Sequence, residues 1–125
     1  MGTVMVVDDS KTVRMSMEYL LKNNGHEVFS AQDGAEGLKI LGDKAAGGKK
    51  PHLIITDVNM PNMGGLEFIQ KVKQNISTKF IPVLILTTES QESMKMEGKK
   101  FGAAGWIVKP YQPDQLIAVV KRFIK

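Results

Sequence analysis

Five short apolar runs, separated by stretches with helical spacing, constrain the fold of this chain more than any other feature. The runs are VMVVD (residues 4–8), EVFSA (27–31), LIITD (53–57), PVLILT (82–87) and GWIVK (105–109). Between them, apolar residues recur every three or four positions, as in Val13, Met17, Leu20 and Leu21, in Leu66, Ile69 and Val72, and in Leu116, Val119, Val120 and Phe123. Strands this continuously apolar need cover on both faces, and parallel neighbours need a long return connection, which the amphipathic stretches supply. The pattern predicts an α/β fold: a doubly wound, five-stranded parallel sheet with flanking helices. A length of 125 residues suits one domain, 1–125, without room for an appended output module.

Punctuation fits this division. Gly25, after Lys22, Asn23 and Asn24, predicts a helix end with a left-handed glycine, and Pro113 followed by Asp114 predicts the opening of the last helix. GDKAAGGKKP (42–51) reads as a loop that lengthens the second crossover, and Pro61, Gly64 and Gly65 read as a turn without chemistry.

No apolar run approaches the ~18 residues of a membrane span. The start MGTVMVVDD lacks a secretory pattern, and there is no cysteine, so a cytoplasmic location with no membrane partner is expected. Seventeen basic against thirteen acidic residues give a formal charge of +4, but Lys44, Lys49, Lys50, Lys71, Lys73, Lys95, Lys99, Lys100, Lys121 and Lys125 are not interleaved with aromatics. A solvated surface is expected, not a nucleic-acid groove.

In an open parallel sheet, function gathers beyond the carboxyl ends of the strands. Here those ends supply Asp8 and Asp9, Asp57, Thr87 and Lys109. Three carboxylates brought together repel at about 4 kcal/mol per pair at 4 Å and an effective dielectric near 20, so a counter-cation is needed. Oxygen donors without cysteine or strand-end histidine favour a hard ion such as Mg²⁺. A cation, an ammonium and a hydroxyl around one carboxylate is an arrangement that suits phosphoryl transfer, and Asp57, the lone carboxylate of the central strand, is the candidate nucleophile. Each residue also has an ordinary reading. Asp9 or Ser10 caps a helix, Thr87 is a β-branched strand residue, Lys109 is a solvated strand end and Trp106 fills the core. His26 and His52 read as surface residues, and the eight methionines as filler.

Four motifs in order, VVDDS, TDVNMPNMGG, LTTES and VKPYQP, resemble the receiver domain of two-component response regulators along essentially the whole chain. The resemblance implies a flavodoxin-like (βα)5 fold with strand order 2-1-3-4-5. It implies a phosphoryl group accepted on Asp57 from a histidine kinase, and Mg²⁺ held by Asp9 directly, by Asp8 largely through water, by Asp57 and by the Asn59 carbonyl. Thr87 and Lys109 would engage the phosphoryl group, Asn59 and Glu89 would modulate it, and Lys109-Pro110 would be cis. Trp106 stands at the aromatic switch position, where Tyr or Phe is commoner. Phosphorylation would reshape the face made by the fourth helix, fifth strand and fifth helix, residues 90–125. The GAAGWIVKPYQPDQL ending, with Asn59 and Glu89, is most similar to the chemotaxis members, which implies a monomer that binds the flagellar motor switch, with a phosphatase as a further partner. A phosphorelay intermediate is the alternative within the class. A small aspartate-nucleophile phosphatase is the alternative outside it, although Asn59 stands where such enzymes carry a second acid. The expectation is a signalling switch with only self-directed chemistry, not an enzyme acting on other substrates.

Overall fold

The structure, a computed structural model, describes residues 2–87 and 99–124. Five strands form one sheet: β1 (Thr3–Val7), β2 (Glu27–Ala31), β3 (Leu53–Thr56), β4 (Val83–Thr87) and β5 (Gly105–Val108). All pairings are parallel, in the order β2-β1-β3-β4-β5, as the resemblance implies. The described helices are α1 (Lys11–Asn23), α2 (Gly34–Ala46), α3 (Gly65–Gln74) and a last helix, Pro113–Phe123. Pro113 stands in the first turn of that helix, where its missing N–H costs nothing. Among the described residues, no helix is long and apolar enough to cross a membrane.

Alternate strand residues feed two cores, as the pleat of a sheet covered on both sides requires. Val4, Val6, Leu53, Ile55, Leu84 and Leu86 pack under α1 and the last helix, against Met17, Leu21, Leu116 and Val120. Met5, Val7, Ile54, Val83 and Ile85 face α2 and α3, against Leu41, Phe68, Ile69 and Val72.

Local chemistry sets the helix ends. The Ser10 hydroxyl accepts a hydrogen bond from the Val13 N–H and caps α1. At the other end of α1, Gly25 takes a left-handed conformation (φ 89°), its N–H donates to the Lys22 carbonyl, and the His26 N–H donates to the Leu21 carbonyl. These paired bonds fold the residue after the glycine back onto the helix. His26 is therefore buried, contrary to the surface position expected of it, whereas His52 is exposed. A second expectation also changes. α2 runs through Gly42 to Ala46, so the connection to β3 is only residues 47–52. One interior glycine costs a helix about 1 kcal/mol, and the residues around Gly42 are good enough helix formers to carry the helix past it.

Candidate functional site

The strand order reverses between β2-β1 and β3-β4, which places the crevice at the carboxyl ends of β1 and β3. The ladders stop one residue earlier than the apolar runs suggest, at Val7, Thr56 and Val108, so Asp8, Asp57 and Lys109 lie just beyond them. Asp8 and Asp57 are buried and Asp9 is exposed, and one carboxylate oxygen from each lies within 4.8 Å of the others. The Lys109 Nζ reaches across the crevice to Asp8 Oδ2 at 2.9 Å and Asp57 Oδ2 at 3.3 Å.

The second oxygens are held by backbone. The Ser10 N–H donates to Asp8 Oδ1 (2.9 Å), and the Val58 N–H donates to Asp57 Oδ1 (2.7 Å). Arg14 donates from Nη1 to the Asp8 carbonyl at 2.6 Å, which ties α1 to the end of β1. Burial raises the Asp57 pKa above the usual carboxylate range. Lys109 opposes that shift, and the neighbouring charge of Asp8 adds to it. For Lys109, burial disfavours the ammonium, but the hydrogen bond and charge of Asp8, followed by those of Asp57, outweigh burial and raise its pKa. Lys109 pairs with Asp8 and Asp57 and, among the described residues, Asp9 has no ion pair, so three ionised carboxylates against one ammonium leave a net charge deficit of two. An all-oxygen set with that deficit fits a hard divalent cation.

The other expected residues lie around this cluster. Asn59 is exposed in the loop just after Asp57. Thr87 closes β4 in register with Val108, which precedes Lys109. Trp106 is half-buried in β5 opposite Ile85 and shares a cavity of about 210 Å³ with Ala103 and Ala104. Lys109-Pro110 is cis. Glu89 lies outside the described residues, as does most of the segment from 90 to the start of β5 that was expected to form part of a switching face.

Two supports escaped sequence reasoning. Gly65 opens α3 with its α-carbon against the Asp57 carbonyl oxygen, and a β-carbon there would overlap that oxygen. The Gly64-Gly65 pair signalled a turn, but not that the turn rests on the acidic residue itself. Asp33 caps α2 through the Glu36 N–H and also accepts from the Asn62 side chain at 2.9 Å. Asn62 adopts a left-handed conformation (φ 65°), so this clamp fixes the loop that carries Asn59. Nothing local in the sequence pairs residues 33 and 62.

Beside Lys109, a groove of about 620 Å³ runs between α1 and the start of the last helix, lined by Val13, Tyr19, Leu20, Pro110 and Tyr111 among others.

Residues 4–121 match the family described as the response regulator receiver domain. The chemotaxis protein CheY1 of Helicobacter pylori is 38 % identical over 114 residues, 90 % of this chain and 89 % of that protein. The solved structure of the chemotaxis response regulator CheY4 of Vibrio cholerae aligns with a TM-score of 0.88 at 41 % identity over 99 % of both chains. The Mn²⁺-bound form of response regulator Rcp1 aligns with a TM-score of 0.80 at 26 % identity, over 98 % of this chain and 91 % of that one. Other relatives are longer. The chain spans 48 % of a transcriptional regulatory protein of Bacillus subtilis and 9 % of a histidine kinase of Formosa agariphila. The chain belongs to the response regulator receiver domain family, with CheY-like chemotaxis regulators among its relatives.

Proposed function

We propose that this chain is a phosphorylation switch that accepts a phosphoryl group from a histidine kinase onto Asp57. The observation that carries this reading is the meeting of Asp8, Asp9 and Asp57 at the point where the strand order reverses, with Lys109 bridging two of them. In the transfer, an Asp57 carboxylate oxygen forms a bond to phosphorus. The bond from phosphorus to the donor imidazole nitrogen breaks, and that nitrogen keeps the electron pair and takes a proton from solvent. Lys109 stands where it can balance charge on the incoming phosphoryl oxygens, and Thr87, at the next strand end, would hydrogen-bond them. Asp8, Asp9 and Asp57, with the Asn59 carbonyl, would hold Mg²⁺. When bound, the ion offsets carboxylate repulsion and draws charge from the phosphoryl oxygens. Keeping Asp57 ionised matters, because burial favours its protonated and non-nucleophilic form.

The groove between α1 and the last helix adjoins Lys109 and would receive the donor protein beside the acceptor. Once formed, the acyl phosphate adds negative charge that draws Thr87 and Lys109 inward, with Trp106 as the responding aromatic. Likeness to CheY1 and CheY4 over nearly their whole lengths supports a chemotaxis role with the flagellar motor switch as target.

Incubation with a small acyl phosphate donor and Mg²⁺ is expected to attach one hydroxylamine-labile phosphate, seen as an intact mass shift. Retention of that label by Asp57→Asn would overturn the assignment. Binding of the phosphorylated form to a motor switch peptide supports the chemotaxis role. Failure to bind, with transfer of the group to a histidine phosphotransfer domain, would replace it with a relay.

A further inference from the structure

The opposite end of the sheet carries a surface that phosphoryl transfer does not use. The amino ends of β1, β2, β3 and β4 converge there, about 16 Å from the acidic site for a five-residue strand at 3.3 Å per residue. One cleft of about 510 Å³ is lined by Thr3, Glu27, Phe29 and His52, together with Lys44, Lys49 and Lys50. A second, of about 190 Å³, adjoins it through Lys50 and His52 and ends at Phe80. Among the described residues, no carboxylate lies within 4.0 Å of any of these lysine ammoniums, and Glu27 is the single acid in the lining. The His52 Nδ1 accepts from the Thr3 N–H, so the neutral ring carries its proton on Nε2 and can donate outward.

Next to the clefts, the α3–β4 connection displays Ile76 and Phe80 at 83 % and 85 % exposure. The connection is braced by hydrogen bonds. The Lys73 Nζ donates to the Lys79 and Ile81 carbonyls, the Thr78 hydroxyl donates to the Val72 carbonyl, and Asn75 Oδ1 accepts from the Ser77 N–H and hydroxyl. The Lys50 Nζ donates to the Ser77 carbonyl and joins this loop to the cationic cleft. Braced apolar anchors beside cations that lack carboxylate partners form an amphipathic docking surface.

We propose that this face binds a protein segment in which acidic residues alternate with apolar ones, independently of the phosphorylation state. Charge complementarity selects that occupant. A second copy would present the same basic face and repel. Nucleic acid would meet the lysines through its phosphates but offer the exposed Ile76 and Phe80 side chains no apolar partner.

The test is a titration of ¹⁵N-labelled protein, without Mg²⁺ or phosphodonor, with a short synthetic peptide of Glu-Leu-Asp-Phe repeats. Amide shifts are expected at Thr3, residues 27–29, 44–50, 52 and 76–81, with affinity that falls as salt rises. Phe80→Ala and Ile76→Ala are each expected to weaken binding about tenfold, and Lys49→Glu with Lys50→Glu to remove it. All are surface changes that leave the remaining amide spectrum and Asp57 phosphorylation unaltered. The proposal is overturned if the peptide produces no shifts, if shifts map to the carboxyl ends of the strands, or if a peptide with lysine in place of the acids binds equally. It is also overturned if an oligonucleotide or anionic vesicles occupy the face and the peptide does not.

Discussion

Replacing Lys109 by methionine removes the ammonium that spans Asp8 and Asp57 and keeps a side chain of similar length. Two buried carboxylates would then face each other with oxygens within 4.8 Å and no cation between them. At an effective dielectric near 20, that repulsion is about 3.5 kcal/mol. Breaking a buried ion pair by removing one partner costs about 3–5 kcal/mol, and the 17 % exposure of the lysine side chain places the loss near the lower end, about 3 kcal/mol. Urea unfolding in EDTA at neutral pH reads this directly. Two further measurements separate repulsion from a packing defect. Asp8→Asn in the Lys109→Met background removes one of the opposed charges and is expected to recover at least half the loss. Lowering the pH is also expected to narrow the gap. The folded pKa of Asp57 is already raised and would rise further without Lys109, so the folded state takes up a proton before the unfolded chain does. The penalty is therefore present above the folded pKa and disappears as pH falls through it. A Lys109→Met protein as stable as wild type in EDTA, or a double variant no more stable than the single one, would refute this electrostatic account.

Two further outcomes follow from packing and burial. Gly65→Ala is expected to destabilise by about 2–3 kcal/mol and to slow phosphorylation of Asp57, because the added β-carbon must push the Asp57 carbonyl aside; an unchanged Tm would refute the contact. His26 is buried with no partner for Nδ1 among the described residues, and burial, then the N-terminal ammonium and Lys121, lower its pKa. Its folded pKa lies below the unfolded value of about 6.5, so its contribution is complete above that pH and fades as the pH falls through 6.5 toward the folded value. His26→Leu should flatten this part of the stability profile, and an unaltered slope in urea unfolding from pH 7 to 5 would show that another group is responsible.

Much of the candidate site was legible because strand ends are marked twice, by the end of an apolar run and by the polar residue that follows. Asp8, Asp57 and Lys109 could be placed on one edge on that basis, and the ion pairs from Lys109 agree with it. What the pattern misjudged was local. Gly42 looked like a loop residue but is carried inside α2, and His26 looked polar enough for the surface but follows a glycine that folds it onto α1. The lysines at 44, 49 and 50 looked dispersed because the aromatics beside them, Phe29 and Phe80, are remote in the chain.

The amino-acid sequence by itself determined the layers, the parallel sheet and the chemical character of its active edge, because hydrophobic period and strand-end residue type are local properties that burial reads directly. The tertiary structure alone decided the relations across distance: that Lys109 is shared by Asp8 and Asp57, that Asn62 is held by Asp33, that Gly65 supports the Asp57 carbonyl, and that a cleft lined by Lys50 and His52 ends at the exposed Phe80. Such contacts depend on how the crossovers return each strand to the sheet, and ångström-scale geometry at their ends has no signature in the order of residues along the chain.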